Sequence, residues 1–236
     1  MPTDQPPTVI RQSVMHLRAA IMLGDLRPGQ KLIEADLCRE MGISRASLRE
    51  ALRALEAERL VELVPNRGPS VAKLGWREIE EIHDVWALLT GEAVRRFADL
   101  ATPADIVELA GTVKLLNRAV RARNSLEQLA ATNAFFGAIL DKCGNDVMLD
   151  VVYSLVSRLN FLRAQAFQHA GWGERSAREI EEIVTAICKR SPAAARAATR
   201  RHIASACAAA KQVALQAKPA APLEAPRRVR GRRARA

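Results

Sequence analysis

Apolar residues recur every three or four positions through most of this chain, the spacing of one face of a helix. Ile10, Val14, Leu17 and Ile21 form a first stripe over residues 8–23, closed by Gly24. Leu37 and Met41 form a second, over 34–41, closed by Gly42. Leu48, Leu52 and Leu55 form a third, over 45–59, with Ser44 placed to cap it. The pattern then changes. LVELV (60–64) and PSVAKL (69–74) are β-prone runs flanking Pro65-Asn66-Arg67-Gly68, which predicts a hairpin. Lys31-Leu32, after the Pro28-Gly29 turn, is expected to be a short extended piece. Three helices followed by a β-hairpin predict a winged helix-turn-helix over residues 1–75.

From Gly75 onward only the helical period remains. Ile79, Ile82, Val85, Trp86, Leu89, Ala93 and Phe97 predict a long helix ending near Leu100. Thr102-Pro103 starts the next, with Ile106, Leu109, Val113, Leu116 and Val120 inward. Ser125 starts a third carrying Leu126, Leu129, Asn133, Phe136 and Leu140, and Gly144-Asn145 ends it. A fourth runs from Val147 to about Phe167, with Met148, Val151, Leu155, Leu159 and Leu162 inward. The GWG at 171–173 is read as a break, followed by helices over 176–190 and from Ser191-Pro192 to about Gln216. Short connections between six helices predict an antiparallel bundle over 76–216. The fold class is therefore mainly α, a winged helix-turn-helix followed by a six-helix bundle.

Composition narrows the function. Half of the 236 residues are hydrophobic, yet no apolar run approaches the ~20 residues of a membrane span. The N-terminus has no signal-peptide pattern, so a soluble, cytoplasmic protein is expected. Cys38, Cys143, Cys188 and Cys207 are isolated, which excludes a zinc ribbon and favours packed thiols. The net charge is +10, but residues 1–75 and 76–216 contribute only +2 each. The last twenty residues hold seven Lys/Arg against one Asp/Glu. This Pro/Ala- and Arg-rich segment, 217–236, is expected to be a disordered tail that adds salt-sensitive DNA affinity or merely solubility.

A helix hairpin with a Gly in its turn and basic or hydroxyl residues at the start of its second helix suits a DNA major groove. Ser44, Arg45, Ser47, Arg49 and Arg53 occupy those positions. At the wing tip, Asn66, Arg67 and Gly68 offer a basic side chain and bare backbone to a narrow groove. The run from Leu17 to Ala72, with GDLRPGQKL, GISRASLREALRALEAERLVE and PNRGPSV in order, resembles the DNA-binding domain of the GntR superfamily of bacterial transcription regulators. The resemblance implies that Arg45 and Arg49 contact DNA and that the wing tip enters the minor groove. It also implies a basic residue in the preceding helix, where this chain has Glu34-Ala35-Asp36. On physical grounds Arg49 is assigned mainly to bases, Arg45 to bases or phosphate, and Arg53 to phosphate or solvent.

The helical portion resembles the FCD effector domain of the FadR subgroup, with Gly144-Asn145 and His202-Ile203 as landmarks. That family implies a divalent metal held by an Asp, a His four residues later, and two further His. At those positions this chain has Asn133, Gly137, Ile180 and His202. One imidazole and one carboxamide make no tight transition-metal site, so no metal or other cofactor is expected. The family's Arg and Glu in the first bundle helix are replaced by Trp86 and Thr90. What remains is a candidate effector pocket: Trp86, Phe136, Gly137 and Ile180 as apolar wall, and Asn133, His202 and Arg163 as polar groups.

These readings predict a regulator, not an enzyme, binding double-stranded DNA at a near-palindromic operator as a homodimer. It is expected to act as a repressor under a small-molecule effector of unknown identity. Besides a non-specific nucleic-acid binder driven by the 217–236 tail, two rivals remain at this level. One is a bundle that serves only for dimerisation; the other is a helical metalloprotein or enzyme.

Overall fold

In the computed structural model, residues 8–64 and 67–216 are described; Asn66 and the 217–236 tail lie outside them. The order is α1 (Thr8–Leu23), α2 (Glu34–Met41), α3 (Arg45–Ala57), β1 (Val61–Val64), β2 (Gly68–Val71), then α4 (Trp76–Leu100), α5 (Pro103–Arg121), α6 (Ser125–Leu140), α7 (Asp146–Ala166), α8 (Trp172–Cys188) and α9 (Pro192–Gln216). The first five elements are the winged helix-turn-helix, and the last six form the bundle.

Three of the predicted boundaries moved for local reasons. The helix α3 ends at Ala57, because Arg59 takes a left-handed conformation (φ 61°) that turns the chain into β1. The strand predicted over 69–74 is β2, Gly68–Val71; it pairs antiparallel with β1, Val61 opposite Val71 and Val64 opposite Gly68. The break predicted at 171–173 lies earlier, over residues 167–171 between α7 and α8. Gly171, at φ 83°, makes the left-handed turn alone, and buried Trp172 already begins α8. The extended piece at Lys31 forms a bridge to Ser70, with the Leu32 N–H donating to the Pro69 carbonyl.

Leu48, Leu52 and Leu55 are fully buried and hold α3 against α1, whose Leu17 and Ile21 are equally buried. The apolar half of α3 is thereby fixed and its polar half faces outward. An Arg18–Glu58 ion pair adds a clamp between α1 and the end of α3. In the bundle, α4 buries Ile79, Ile82, Trp86, Val94 and Phe97 against α9, α7 and α6. Val85 and Val151, both expected inward, are exposed, because each sits at the edge of its stripe and beyond the packed face. Thr102 and Asp105 close a reciprocal capping box at the start of α5. The two halves meet where α1 packs on α7: the Gln168 Nε2 donates to the Leu23 carbonyl at 3.0 Å, and Gly24 lies against the Gln165 side chain.

Candidate nucleic-acid interface and ligand cavity

The start of α3 is built by Ser44. Its backbone is extended (φ −72°, ψ 156°), and its Oγ accepts from the Ser47 N–H at 3.1 Å, which satisfies an otherwise orphaned donor. The two hydroxyls lie 3.0 Å apart. Arg45 is the first helical residue and is exposed. Arg49, one turn later, is also exposed, but its Nε lies 3.3 Å from both Glu34 oxygens and its Nη2 3.2 Å from Oε2. Arg53 pairs with Glu50 at 2.7 Å on the same helix. Arg67 and Gly68 stand exposed at the wing, and Gly68 has φ 75° with open space where a Cβ would sit. Glycine is required there by the backbone, not by crowding. Of the predicted contacts other than Asn66, Ser44, Arg45, Arg49, Arg53, Arg67 and Gly68 are exposed and Ser47 is half-buried. The sequence did not single out Glu34 as a partner of Arg49; the pairing spans fifteen residues and two helices, so no local pattern reveals it.

In the bundle, a cavity of about 230 Å³ opens between α4, α6 and α7. It gathers Trp86, Asn133, Phe136, Gly137 and Arg163, five of the seven predicted pocket residues. His202 belongs instead to an adjoining cleft that also touches Trp86 and Arg163 and has room for little more than a water. Ile180 is fully buried and lines neither space, so its assignment to the pocket is corrected: it packs the core of α8. Nor does Gly137 leave a void, since the Tyr153 hydroxyl lies 3.0 Å from where its Cβ would be. Tyr153 and Asn160 also line the cavity and were not foreseen. Asn160 precedes Arg163 by one helical turn, a spacing that could have revealed it. A larger cleft of about 360 Å³ near the start of α8 gathers none of the predicted residues.

Arg163 dominates the cavity electrostatically. It is 5 % exposed, and its Nη1 donates to Asn133 Oδ1 at 2.7 Å and Asn160 Oδ1 at 3.0 Å. Its guanidinium lies 5.1 Å from the Trp86 ring centroid. Both hydrogen-bond partners are neutral, and burial pulls its pKa down to about 10. His83, behind Trp86, is pushed down as well, first by burial and also by the nearby Arg163 charge, despite its Nδ1 contact to the Ile79 carbonyl at 2.7 Å. Near the guanidinium, the Trp86 Nε1, the His83 Nε2 and the Ser176 Oγ are buried without a partner among the described residues, as is the Thr90 Oγ1 one turn beyond Trp86 on α4. His202 is stacked between Phe136 and Trp172, and its Nδ1 lies 2.9 Å from Glu179 Oε2. Burial raises the Glu179 pKa, but hydrogen bonds from His202 and Ser205 outweigh that and leave it lowered.

The family-typical metal does not fit these residues. Asn133 Oδ1 is occupied by a guanidinium, which would repel a dication, and His202 Nδ1 is engaged by Glu179. Gly137 and Ile180 offer no donor atom at all. Among the described residues no cluster of three or more His, Cys, Asp or Glu could hold an ion. Likewise, no described helix is long and apolar enough to cross a membrane.

A winged helix-turn-helix with an exposed basic reading helix, joined to a helical bundle enclosing a polar-centred cavity, defines a DNA-binding regulator with a sensing domain. Family comparison agrees in both halves: residues 10–71 match bacterial regulatory proteins of the gntR family, and residues 81–205 match the FCD domain. The chain belongs to the GntR family of transcription regulators and carries an FCD domain. It is 32% identical over 129 residues to an uncharacterized HTH-type transcriptional regulator of Agrobacterium vitis, covering 54% of this chain and 75% of that one. It is 28% identical to the Glc operon transcriptional activator of Escherichia coli K12, over 83% of this chain and 85% of the relative. The solved structure of E. coli McbR/YncC superposes with a TM-score of 0.69 at 20% identity, covering 88% of this chain and 99% of that one.

Proposed function

We propose that this regulator of transcription binds a near-palindromic operator as a homodimer and represses from it. A small acidic effector seated on Arg163 would release it. The observation that carries the effector class is the buried guanidinium with only carboxamide partners. An unneutralised charge at that depth is costly, and a carboxylate entering the cavity converts it into a satisfied pair. The apolar lining from Trp86, Phe136 and Val152 and the volume of about 230 Å³ suit a small organic acid with an apolar body. No divalent metal is needed in this reading, because Arg163 takes the place of the cation, and the protein needs no catalytic group. The Gly144-Asn145 and His202-Ile203 landmarks support a place in the FadR subgroup, and DNA as the partner supports a cytoplasmic protein.

On the DNA side, Ser44, Arg45, Ser47, Arg49 and Arg53 would enter or flank the major groove, with Asn66, Arg67 and Gly68 at the minor groove. Two such helices reading successive turns place half-sites about 34–36 Å apart or a multiple of it. Exposed Val85 and Leu88 on α4 are apolar positions that a second copy can cover. A relative named as an activator matches over 83% of this chain, so the position of the operator relative to the promoter is the observation that tests repression. Selection of bound fragments from genomic DNA, followed by titration of small carboxylic acids against the complex, tests the reading. A palindromic consensus released by one acid is the expected result. Binding without sequence preference would overturn the DNA assignment, and indifference to every acid while a cation or neutral ligand releases DNA would overturn the effector class.

A further inference from the structure

We infer that Glu34 is a specificity-determining residue: it buttresses Arg49, fixing the guanidinium so that its outer edge alone faces a base. The inference rests on the reading of Arg49 as a base contact. A guanidinium is planar and carries five N–H donors in a rigid fork. Glu34 occupies the inner edge, with both its oxygens 3.3 Å from Nε and Oε2 3.2 Å from Nη2. Among the described residues the outer Nη1 has no acceptor, and the Arg49 side chain is 63 % exposed. That leaves the end-on pair of N–H groups, from Nη1 and Nη2, pointing away from the carboxylate. This is the edge that meets guanine O6 and N7 bidentately.

The position of Glu34 on its own helix also favours the carboxylate where it lies. Glu34 is the first residue of α2, whose N-cap Ile33 supplies no side-chain acceptor. The partial positive charge of a helix N-terminus therefore favours the Glu34 carboxylate in place. Its side chain is 27 % exposed, less than half the value of Arg49, as expected of the fixed member of the pair. Arg53 makes a useful contrast. Its partner Glu50 lies on the same helix, and both side chains are more than half exposed, so that pair moves with α3 and aims nothing.

A buttress acts on discrimination more than on affinity. With Glu34 present, Arg49 cannot swing to the nearest phosphate without leaving its partner, and a carboxylate near the backbone weakens binding to every sequence alike. Removing it frees the guanidinium to neutralise a phosphate. Glu34→Ala should therefore raise affinity for random DNA and steepen the salt dependence by roughly one phosphate contact, a change of about 0.9 in the log–log slope. Discrimination at the base pair read by Arg49 should fall by about five- to tenfold, within the range that one bidentate contact supplies. Glu34→Gln, which keeps one acceptor oxygen, should fall between.

The test is a selection and salt titration on the full-length protein, its Glu34→Ala and Glu34→Gln variants and Arg49→Ala, with thermal melting as a folding control. Loss of preference at the same position in Glu34→Ala and Arg49→Ala, together with the steeper slope in Glu34→Ala only, supports the buttress. If Arg49→Ala loses that preference and Glu34→Ala keeps it with an unchanged slope, the buttress is wrong and the reading of Arg49 stands. If Arg49→Ala keeps every preference, the base-contact reading fails and the buttress with it.

Discussion

Arg49 and Arg163 carry the same side chain into opposite situations. Arg49 is exposed, paired with a carboxylate, and its charge is screened by water and salt. Arg163 is buried, meets only carboxamides and a tryptophan face, and its charge is unscreened. The first is inexpensive to maintain and contributes mainly when a base edge arrives. The second costs stability in the free protein and is relieved when an anion arrives. The reading site is thus complete before its partner binds, whereas the sensing site is electrostatically incomplete without one. In the proposed function, this asymmetry places specificity at the first arginine and switching at the second.

The largest expected effect comes from Arg163→Met. The response of DNA affinity to the acidic effector should disappear, where regulators commonly show shifts of roughly 5–150-fold. The melting temperature of the unliganded protein should not fall, because a desolvated charge without a counter-ion has been replaced by an apolar chain of similar length. A marked drop would mean that Arg163 is a structural keystone. Arg163→Lys keeps the charge but loses the fork, and should weaken the response without abolishing it. Next in size is Arg49→Ala, expected to cost roughly 1–3 kcal/mol at one operator position, read by selection. A uniform loss across all sequences would assign Arg49 to phosphate and dissolve the contrast between the two arginines.

The reading half was legible in the sequence because its determinants are local. Leu48, Leu52 and Leu55 declare the buried face of α3, Ser44 its start, and Gly68 the wing turn, each within a few residues of what it controls. The sensing half was legible only in outline. Asn133 and Phe136 lie on the apolar stripe of α6, Arg163 was put forward only as a polar group for the pocket, and the cavity gathers all three. The loss of Ile180 from the pocket and the arrival of the Tyr153 hydroxyl beside Gly137 depend on how α6, α7 and α8 are rotated against each other. Apolar periodicity defines a face to within a residue or so, and the edge positions Val85 and Val151 went the other way for that reason. The Glu34–Arg49 pair was invisible for a related cause: it depends on the crossing of α2 and α3.

A smaller effect should follow from Ser44→Ala, which removes the acceptor for the Ser47 N–H at the start of α3. The expected loss is about 1 kcal/mol of stability, measured by denaturant titration. Operator binding should weaken with it and the effector affinity of the bundle should not change. A change in effector affinity would show that the two halves are not separable in the way the two arginines suggest.

The smallest effect is expected where the halves meet. One helix, α7, carries Asn160 and Arg163 in the cavity wall, and just past its end Gln168 donates to the Leu23 carbonyl of α1. A ligand that shifts Arg163 therefore has a short rigid path to the DNA-binding domain, one turn of helix and one hydrogen bond long. The bond is solvent-exposed, so its net worth is modest, about 0.5–1.5 kcal/mol. Gln168→Ala should leave effector affinity in the absence of DNA and operator affinity in the absence of effector nearly intact. What should change is the coupling between them, by about two- to fivefold, within the range seen for residues that touch neither ligand. Because coupling is reciprocal, the same factor must appear whether DNA is titrated at fixed effector or effector at fixed DNA. Unequal factors would show that a third equilibrium, such as dimer dissociation, had entered. An unchanged coupling would place the transmission elsewhere in the α1–α7 contact, with Gln165 against Gly24 as the next position to alter.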